Sequence, residues 1–410
     1  MRHECIVLAD APAALVEICG ISSLERLLRQ LQRLGLTKAV ILSGTPVLIA
    51  QHLARPSPNR AEVALDIRPS TPENWPNDTG RVLVVAGDRV LDSRLLQLLD
   101  EQDCAATLVD SAPPPSLQPL IASEPETARG RLCGAALLES DSRPSSPASF
   151  QKMLQDKIGA GQIETIDIAC RDWNIASLRR TLRPYWFPAQ GKNAERVLLD
   201  AAQKGTLDLP AMVHAPIENF LVSYLCRTPI TPNQLTATTN IVAWSATALF
   251  ATGHLGPGVI LALAVGILDG LDGKQARLKI ETSEAGKLEH WFDALFEISW
   301  WIALAVFFHV SRLLPAAFSY LALLLSAEAA AGLAKWSVIR RCGRLIDELS
   351  DFDRVVRLVG GRRNIYVWLF ALGVLFQAPV SAFKLIAWWG AVTAAIQVPR
   401  AAWAVRTRCR

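Results

Sequence analysis

From residue 5 to about residue 180 the apolar positions follow two alternating rhythms. Short unbroken runs (CIVLA at 5–9, AVILSG at 39–44, VLVVAG at 82–87) have the length of buried strands. Between them lie stretches such as LERLLRQLQRLGL at 24–36 and DSRLLQLLDEQ at 92–102, where leucines recur every three or four residues. The first rhythm predicts strands and the second predicts amphipathic helices. Their alternation predicts a Rossmann-like α/β domain with a mostly parallel sheet over residues 1–181. Residues 55–76 and 111–147 are rich in Pro and Ser and read as loops on that domain. Residues 182–231 form a connector with Trp, Tyr and Arg interleaved, which suits a helix lying in a bilayer interface, an ordinary interdomain linker being the alternative.

Beyond Pro232 the alternation stops. Six apolar segments follow, at 235–254, 257–275, 286–309, 314–334, 364–378 and 380–400. Crossing a hydrocarbon core takes roughly 20 residues of helix, so residues 232–410 are expected to form an all-α domain of six transmembrane helices. The loops set an orientation. Lys274, Arg277, Lys279 and Lys287 follow the second segment, and Lys335, Arg340, Arg341, Arg344, Arg354, Arg357, Arg362 and Arg363 follow the fourth. The opposite loops hold little more than Arg312 and Lys384. Basic loops stay in the cytoplasm, so both termini and the soluble domain are expected on the cytoplasmic side.

Composition agrees with a membrane portion: of 410 residues, 51% are hydrophobic, and the mean hydropathy is +0.24. Forty-two basic against 38 acidic side chains leave a net charge of +4, which excludes a nucleic-acid-binding footprint for the chain as a whole. Eight scattered cysteines without a CxxC pair argue against a zinc site or a disulfide scaffold, and reduced thiols are expected.

The chemistry concentrates at 266–297, GILDGLDGKQARLKIETSEAGKLEHWFDALFE. Asp269 and Asp272 are spaced i,i+3 near the cytoplasmic end of the second segment, and Glu289 and Asp293 are spaced i,i+4 where the third returns. Acids at such positions are costly and mark function. Four facing carboxylates supply hard oxygen ligands for Mg²⁺ or Mn²⁺, and two such ions bind a diphosphate. Gly266, Gly270 and Gly273 permit close approach of a backbone or diphosphate, and Arg277 offers a bidentate phosphate donor. Glu297 continues the acidic stripe.

At these residues the sequence resembles the CDP-alcohol phosphotransferase family, whose signature reads DxxDGxxAR, eight residues, G, three residues, D, three residues, D. Asp269, Asp272, Gly273, Ala276, Arg277 and Gly286 match it, and TPNQLT at 231–236 is similar to the family's approach to its first helix. Strict counting puts His290 and Ala294 where the last two aspartates belong, with Glu289 and Asp293 one residue earlier. Our expectation is that the third helix enters one residue out of register, so that Glu289 and Asp293 take over those roles. The competing reading has His290 as a metal ligand and the fourth acid missing. The resemblance implies a metal site of Asp269, Asp272, Glu289 and Asp293, with Asp272 and Asp293 also catalytic. It implies a nucleotide site of Gly273, Ala276, Arg277, Gly286 and Thr236, about two Mg²⁺ or Mn²⁺ ions, a CDP-alcohol donor, an alcohol acceptor and a homodimer. Arg354, Arg357, Arg362 and Arg363 are candidates for a substrate phosphate, positive-inside topology being their other explanation.

The first domain is similar to sugar-nucleotide nucleotidyltransferases in its first strand, its LERLLRQLQRLGL helix and VLVVAGDRV, where Gly87 and Asp88 match the metal-binding strand end. The loop ADAPAALVEICGISS lacks the glycines and Arg that cradle a triphosphate, and we expect a degenerate domain. Asp88 is then an ordinary strand-end acid. The sequence thus predicts a membrane phosphotransferase of phospholipid or polar-lipid synthesis that releases CMP. The alternative is a non-catalytic membrane protein with a nucleotide-sensing domain.

Overall fold

The computed structural model describes residues 4–56, 61–76, 80–139, 142, 144, 146–175, 180–190, 193–205, 208–281 and 289–407. It divides into two compact units, the first comprising Met1–Gln203, Ser223–Pro229 and Lys274–Glu281, the second Lys204–Val222, Ile230–Gly273 and Thr282–Arg410.

The first unit is built on a sheet whose seven main strands are β1 (Glu4–Leu8), β2 (Lys38–Ser43), β3 (Ala64–Pro69), β4 (Val82–Ala86), β5 (Ala106–Asp110), β6 (Gly130–Leu138) and β7 (Glu164–Asp167). Their order is β7-β5-β6-β4-β1-β2-β3. All neighbours pair in parallel except β6, which runs antiparallel to β4 and β5. Ile6, Leu8, Val40, Leu42, Val84 and Ala86 fill the core on one face, as the solid apolar runs require. Helices α1 (Ser23–Arg33), α2 (Pro46–Leu53), α3 (Ser93–Asp100), α4 (Gln118–Ile121), α5 (Pro147–Gly159) and α6 (Ala194–Ala202) accompany the strands. The α1 helix starts where Ser22 Oγ accepts from the Glu25 N–H at 3.2 Å, satisfying one of the free donors of its first turn.

Polar residues stand at two strand ends of this unit. The C-terminal ends of neighbouring parallel strands are where open α/β sheets bind ligands. Here Asp10, just past β1, accepts from Gly44 N–H at 2.6 Å, and Ala11 N–H donates to Thr45 Oγ1 at 2.9 Å. At the end of β4, Asp88 lies 3.6 Å from Arg89 Nε, and Arg89 Nη1 donates to Glu124 at 2.7 Å.

The second unit is helical. It holds most of α7 (Leu209–Leu225) and α9 (Leu255–Lys279), with α8 (Pro232–Ala251), α10 (Glu289–Val310), α11 (Ala317–Cys342), α12 (Asp351–Val359), α13 (Arg363–Leu375) and α14 (Pro379–Thr407). Six of these fall on the six apolar segments, but among the described residues only four, within α9, α10, α11 and α14, are long and apolar enough to cross a membrane. That corrects the count of six. The α8 helix has sufficient length, but Thr236, Thr238, Thr239 and Asn240 dilute its hydropathy, and α13 has only 13 residues.

The core joins Ala243, Ala246, Phe250, Val265, Phe296, Trp300, Leu304, Phe308, Tyr366, Phe370, Phe383 and Ile386. Large apolar side chains also face outward, among them Ile241, Ile260, Leu333, Leu375 and Trp388, the pattern of a lipid-facing bundle. On α7 the outward residues are Met212, Val213, Ile217, Phe220 and Tyr224. Among the described residues six cysteines are free thiols and Cys342 is disulfide-bonded, which corrects the expectation of reduced thiols at that position.

Candidate functional site

Three glycines in two turns of α9 weaken a helix, each by about 1 kcal/mol relative to Ala. Two of them are explained by what packs there. A Cβ on Gly266 would lie 3.0 Å from His214 Cε1, and one on Gly270 would lie 2.4 Å from the Glu218 carboxylate. His214 and Glu218 stand one turn apart on α7, as the two glycines do on α9, so the bare backbone of α9 admits two buried polar side chains.

Asp269 follows on this helix. Its carboxylate is ion-paired with Arg363, the first residue of α13, and the same guanidinium reaches Asp293 of α10 at 3.8 Å. All three side chains are a quarter exposed or less, and the guanidinium also lies over the Phe296 ring, 5.2 Å from its centroid. Two carboxylates from separate helices therefore converge on one positive centre. Asp272 is buried, and its Oδ2 accepts from Thr236 Oγ1 of α8 at 2.7 Å. The sequence fixes the start of α8 locally: Thr231 N–H donates to Gln234 Oε1 at 2.9 Å, Thr231 Oγ1 accepts from Gln234 N–H at 3.3 Å, and Pro232 takes the first turn. Glu297 stands one turn beyond Asp293 on α10.

The remaining expected site residues are distributed as follows. Glu289 and His290 begin α10, but their side chains, like all of Gly286, lie outside the described residues. Gly273, Ala276 and Arg277 continue α9. Arg277 clusters with the first unit, where its Nε donates to the Ala202 carbonyl at 2.8 Å. Of the four basic-loop arginines, Arg363 joins the carboxylates, Arg357 pairs with Asp347 at 3.2 Å, and Arg354 pairs with Asp351 at 3.3 Å on the exposed surface. Arg362 stands at the N-cap position of α13, without a side-chain capping bond.

Among the described residues no three His, Cys, Asp or Glu side chains are grouped so as to hold a metal ion. The donor chemistry nonetheless fits one. Asp269 and Asp293 are hard oxygen donors that already share a cation, and that cation is Arg363.

Sequence reasoning missed the contribution of α7 and the start of α13. Trp368 Nε1, which can only donate, lies 3.2 Å from His214 Nε2, so the neutral ring carries its proton on Nδ1, on the side of Gly266. Burial holds the His214 pKa below the ordinary histidine value. Asn364 Nδ2 donates to Asp208 at 3.4 Å, and Asp208 also accepts from the Ala211 N–H at 2.9 Å at the start of α7. A signal was present: His214 and Glu218 share one spacing within an otherwise apolar helix. Beside them an apolar cavity of about 410 Å³ is lined by Leu209, Val213, Ile365, Trp368, Leu372 and Trp389.

Residues 229–397 match the family described as CDP-alcohol phosphatidyltransferase. A curated relative from Rubrobacter xylanophilus, a bifunctional IPC transferase and DIPP synthase, is 26% identical over 227 residues. That alignment takes in 54% of this chain and 47% of the relative, so the chain spans about half the length of the curated relative it matches. Among solved structures, a phosphatidylinositol phosphate synthase from Mycobacterium tuberculosis with CDP-DAG bound is 17% identical, with a TM-score of 0.36, covering 47% of this chain and 94% of that one. The inositol-1-phosphate CTP transferase from T. maritima is 13% identical, with a TM-score of 0.32, covering 48% and 94%.

Proposed function

We propose, on the premise that residues 229–397 are a CDP-alcohol phosphatidyltransferase domain, that the protein transfers a substituted phosphoryl group from a CDP-alcohol to an acceptor alcohol and releases CMP. The observation that carries this reading is the convergence of Asp269 and Asp293 on Arg363. Carboxylates from the two halves of the signature reach one centre, and it is residue 293, not 294, that does so. This favours Asp293 as the fourth acid of the family's pattern, and with it Glu289 as the third.

In this reading Asp269, Asp272, Glu289 and Asp293 would hold two Mg²⁺ or Mn²⁺ ions, which would supply neutralising charge for the diphosphate and for departing CMP. The rest of the chemistry belongs to side chains. Asp293 accepts the proton of the acceptor hydroxyl as that oxygen attacks the phosphorus bearing the alcohol, and CMP leaves in line. Thr236 orients Asp272, Arg277 and the Gly273 backbone orient the nucleotide, and Arg363 stabilises charge on the transferred phosphoryl group. The enzyme works as a homodimer in the membrane, with the active site and both termini on the cytoplasmic side.

The first unit is a degenerate nucleotidyltransferase-type domain. The loop after β1 supports this, because ADAPAALVEICGISS holds Asp10 and Glu17 and no Arg or Lys with which to cradle a triphosphate. The reading is tested by incubating purified full-length protein with CDP-diacylglycerol or a CDP-polyol, a panel of acceptor alcohols and Mg²⁺. CMP formation that requires Asp293 is expected, and no CMP with any donor contradicts the proposal.

A further inference from the structure

The helix α1 is unusual for a helix of a soluble α/β domain in that residues 23–31 are all buried, Glu25, Arg26, Arg29 and Gln30 included. A buried guanidinium is costly unless its donors find acceptors. Arg26 Nη1 donates to the carbonyl of Leu278 at 2.6 Å, and its Nη2 to the carbonyl of Ile18 at 3.1 Å. Arg29 Nη1 donates to the carbonyl of Lys279 at 2.7 Å and meets Glu281 at 3.1 Å, while its Nε is held by Glu25 at 3.0 Å.

Leu278 and Lys279 are the last two residues of α9. Their carbonyls lie beyond the reach of the helix's own hydrogen-bond ladder, and the negative end of the helix dipole adds to the attraction. The chain then leaves through Ile280 at a φ of +54°, a left-handed conformation that a β-branched residue rarely adopts. The end is fixed from two more sides: Lys279 Nζ donates to Thr228 O at 2.7 Å, and Arg277 Nε donates to Ala202 O at 2.8 Å. Nothing in nucleotidyl transfer calls for arginines used in this way. Their acceptors are the closing turn of the helix that carries the signature.

We propose that the first unit serves this protein as a clamp on that turn, with Arg26 and Arg29 as positioning residues that set the register of Arg277 for the donor nucleotide. The proposal rests on the CDP-alcohol reading above. It gives the domain a task that needs no nucleotidyl transfer.

Lysine keeps the charge of arginine but cannot bridge two carbonyls from a forked head. Full-length Arg26→Lys and Arg29→Lys are therefore expected to raise KM for the CDP-alcohol about tenfold, the loss of one charge-assisted hydrogen bond, with kcat within about threefold of wild type. CMP binding measured by calorimetry on the same proteins should weaken by a similar factor. Glu281→Gln, which removes only the partner of Arg29, should shift both in the same direction by about threefold and guards against variants that fail to fold. Unchanged KM and CMP affinity in folded variants overturns the clamp, as does a fall in kcat at constant KM, which reports only a smaller active fraction. If wild-type protein releases no CMP, the CDP-alcohol reading fails instead, and CMP calorimetry still decides whether Arg26 and Arg29 act on the nucleotide.

Discussion

Asp293 carries more of the account than any other side chain, because its position decides between two registers of α10. Arg363 reaches Asp293 and Asp269 together, so the acid that faces the first half of the signature is at 293, where strict counting along the sequence has none at 294. If that register governs catalysis, Asp293→Asn and Glu289→Gln each lower CMP release by about 100-fold or more, the scale expected when a metal-binding or proton-accepting carboxylate is lost. His290→Ala then leaves the rate within about threefold. Steady-state assays on the three variants check this, and the reverse order would restore His290 as the ligand. Asp269 and Asp272 could be singled out in the sequence because the signature fixes their spacing. The partnership of Arg363 could not, since 70 residues separate it from Asp293 and its local pattern reads equally well as positive-inside charge.

At the scale of elements, the helices that bring these residues together depend on close approach of backbones. A Cβ on Gly373 of α13 would stand 2.2 Å from Ala382 Cβ of α14, with no flexible side chain to move aside. Gly373→Ala should therefore destabilise the bundle by about 1–3 kcal/mol, read as a lower temperature of thermal inactivation in detergent. Gly332→Ala on α11 meets nothing within 4 Å and should be neutral or slightly stabilising, by at most about 1 kcal/mol.

Apolar periodicity located the starts of six helices of the bundle within three residues, because burial and lipid contact both select apolar side chains, while α11 and α14 run on to Cys342 and Thr407 past the expected ends at 334 and 400. It overstated their capacity to cross a membrane, because α8 carries Thr236, Thr238 and Thr239 for reasons of helix contact and chemistry that hydropathy does not encode. The α7 helix shows the opposite failure. The Trp, Tyr and Arg of the 182–231 connector read equally as an interfacial helix or a linker, but that His214 and Glu218 pack over Gly266 and Gly270 depends on tertiary contact.

Over the whole molecule, the account assigns one activity to a chain that resembles two. The full-length protein, given CTP and a polyol phosphate, should form neither a CDP-alcohol nor pyrophosphate, because the loop after β1, ADAPAALVEICGISS, holds Asp10 and Glu17 and no Arg or Lys to cradle a triphosphate. Chromatographic detection of a CDP-alcohol would overturn that assignment. The α/β class of the first unit was plain from its strand and helix rhythm. The antiparallel β6 and the burial of Arg26 and Arg29 were not, since a charged helix position reads as solvated unless the surface it meets is known. The predicted orientation is testable through the same asymmetry of charge. A single cysteine replacing Arg354 should be labelled from the cytoplasmic side by a membrane-impermeant reagent, and one replacing Arg312 from the opposite side.

The most direct test is the release of CMP from a CDP-alcohol by purified full-length protein, measured with Mg²⁺ and again after chelation. The account predicts CMP in proportion to transferred product with the ion and at least about a 100-fold lower rate without it. CMP formed equally well after chelation, or none under either condition, would contradict a divalent-ion phosphotransferase built on Asp269, Asp272, Glu289 and Asp293.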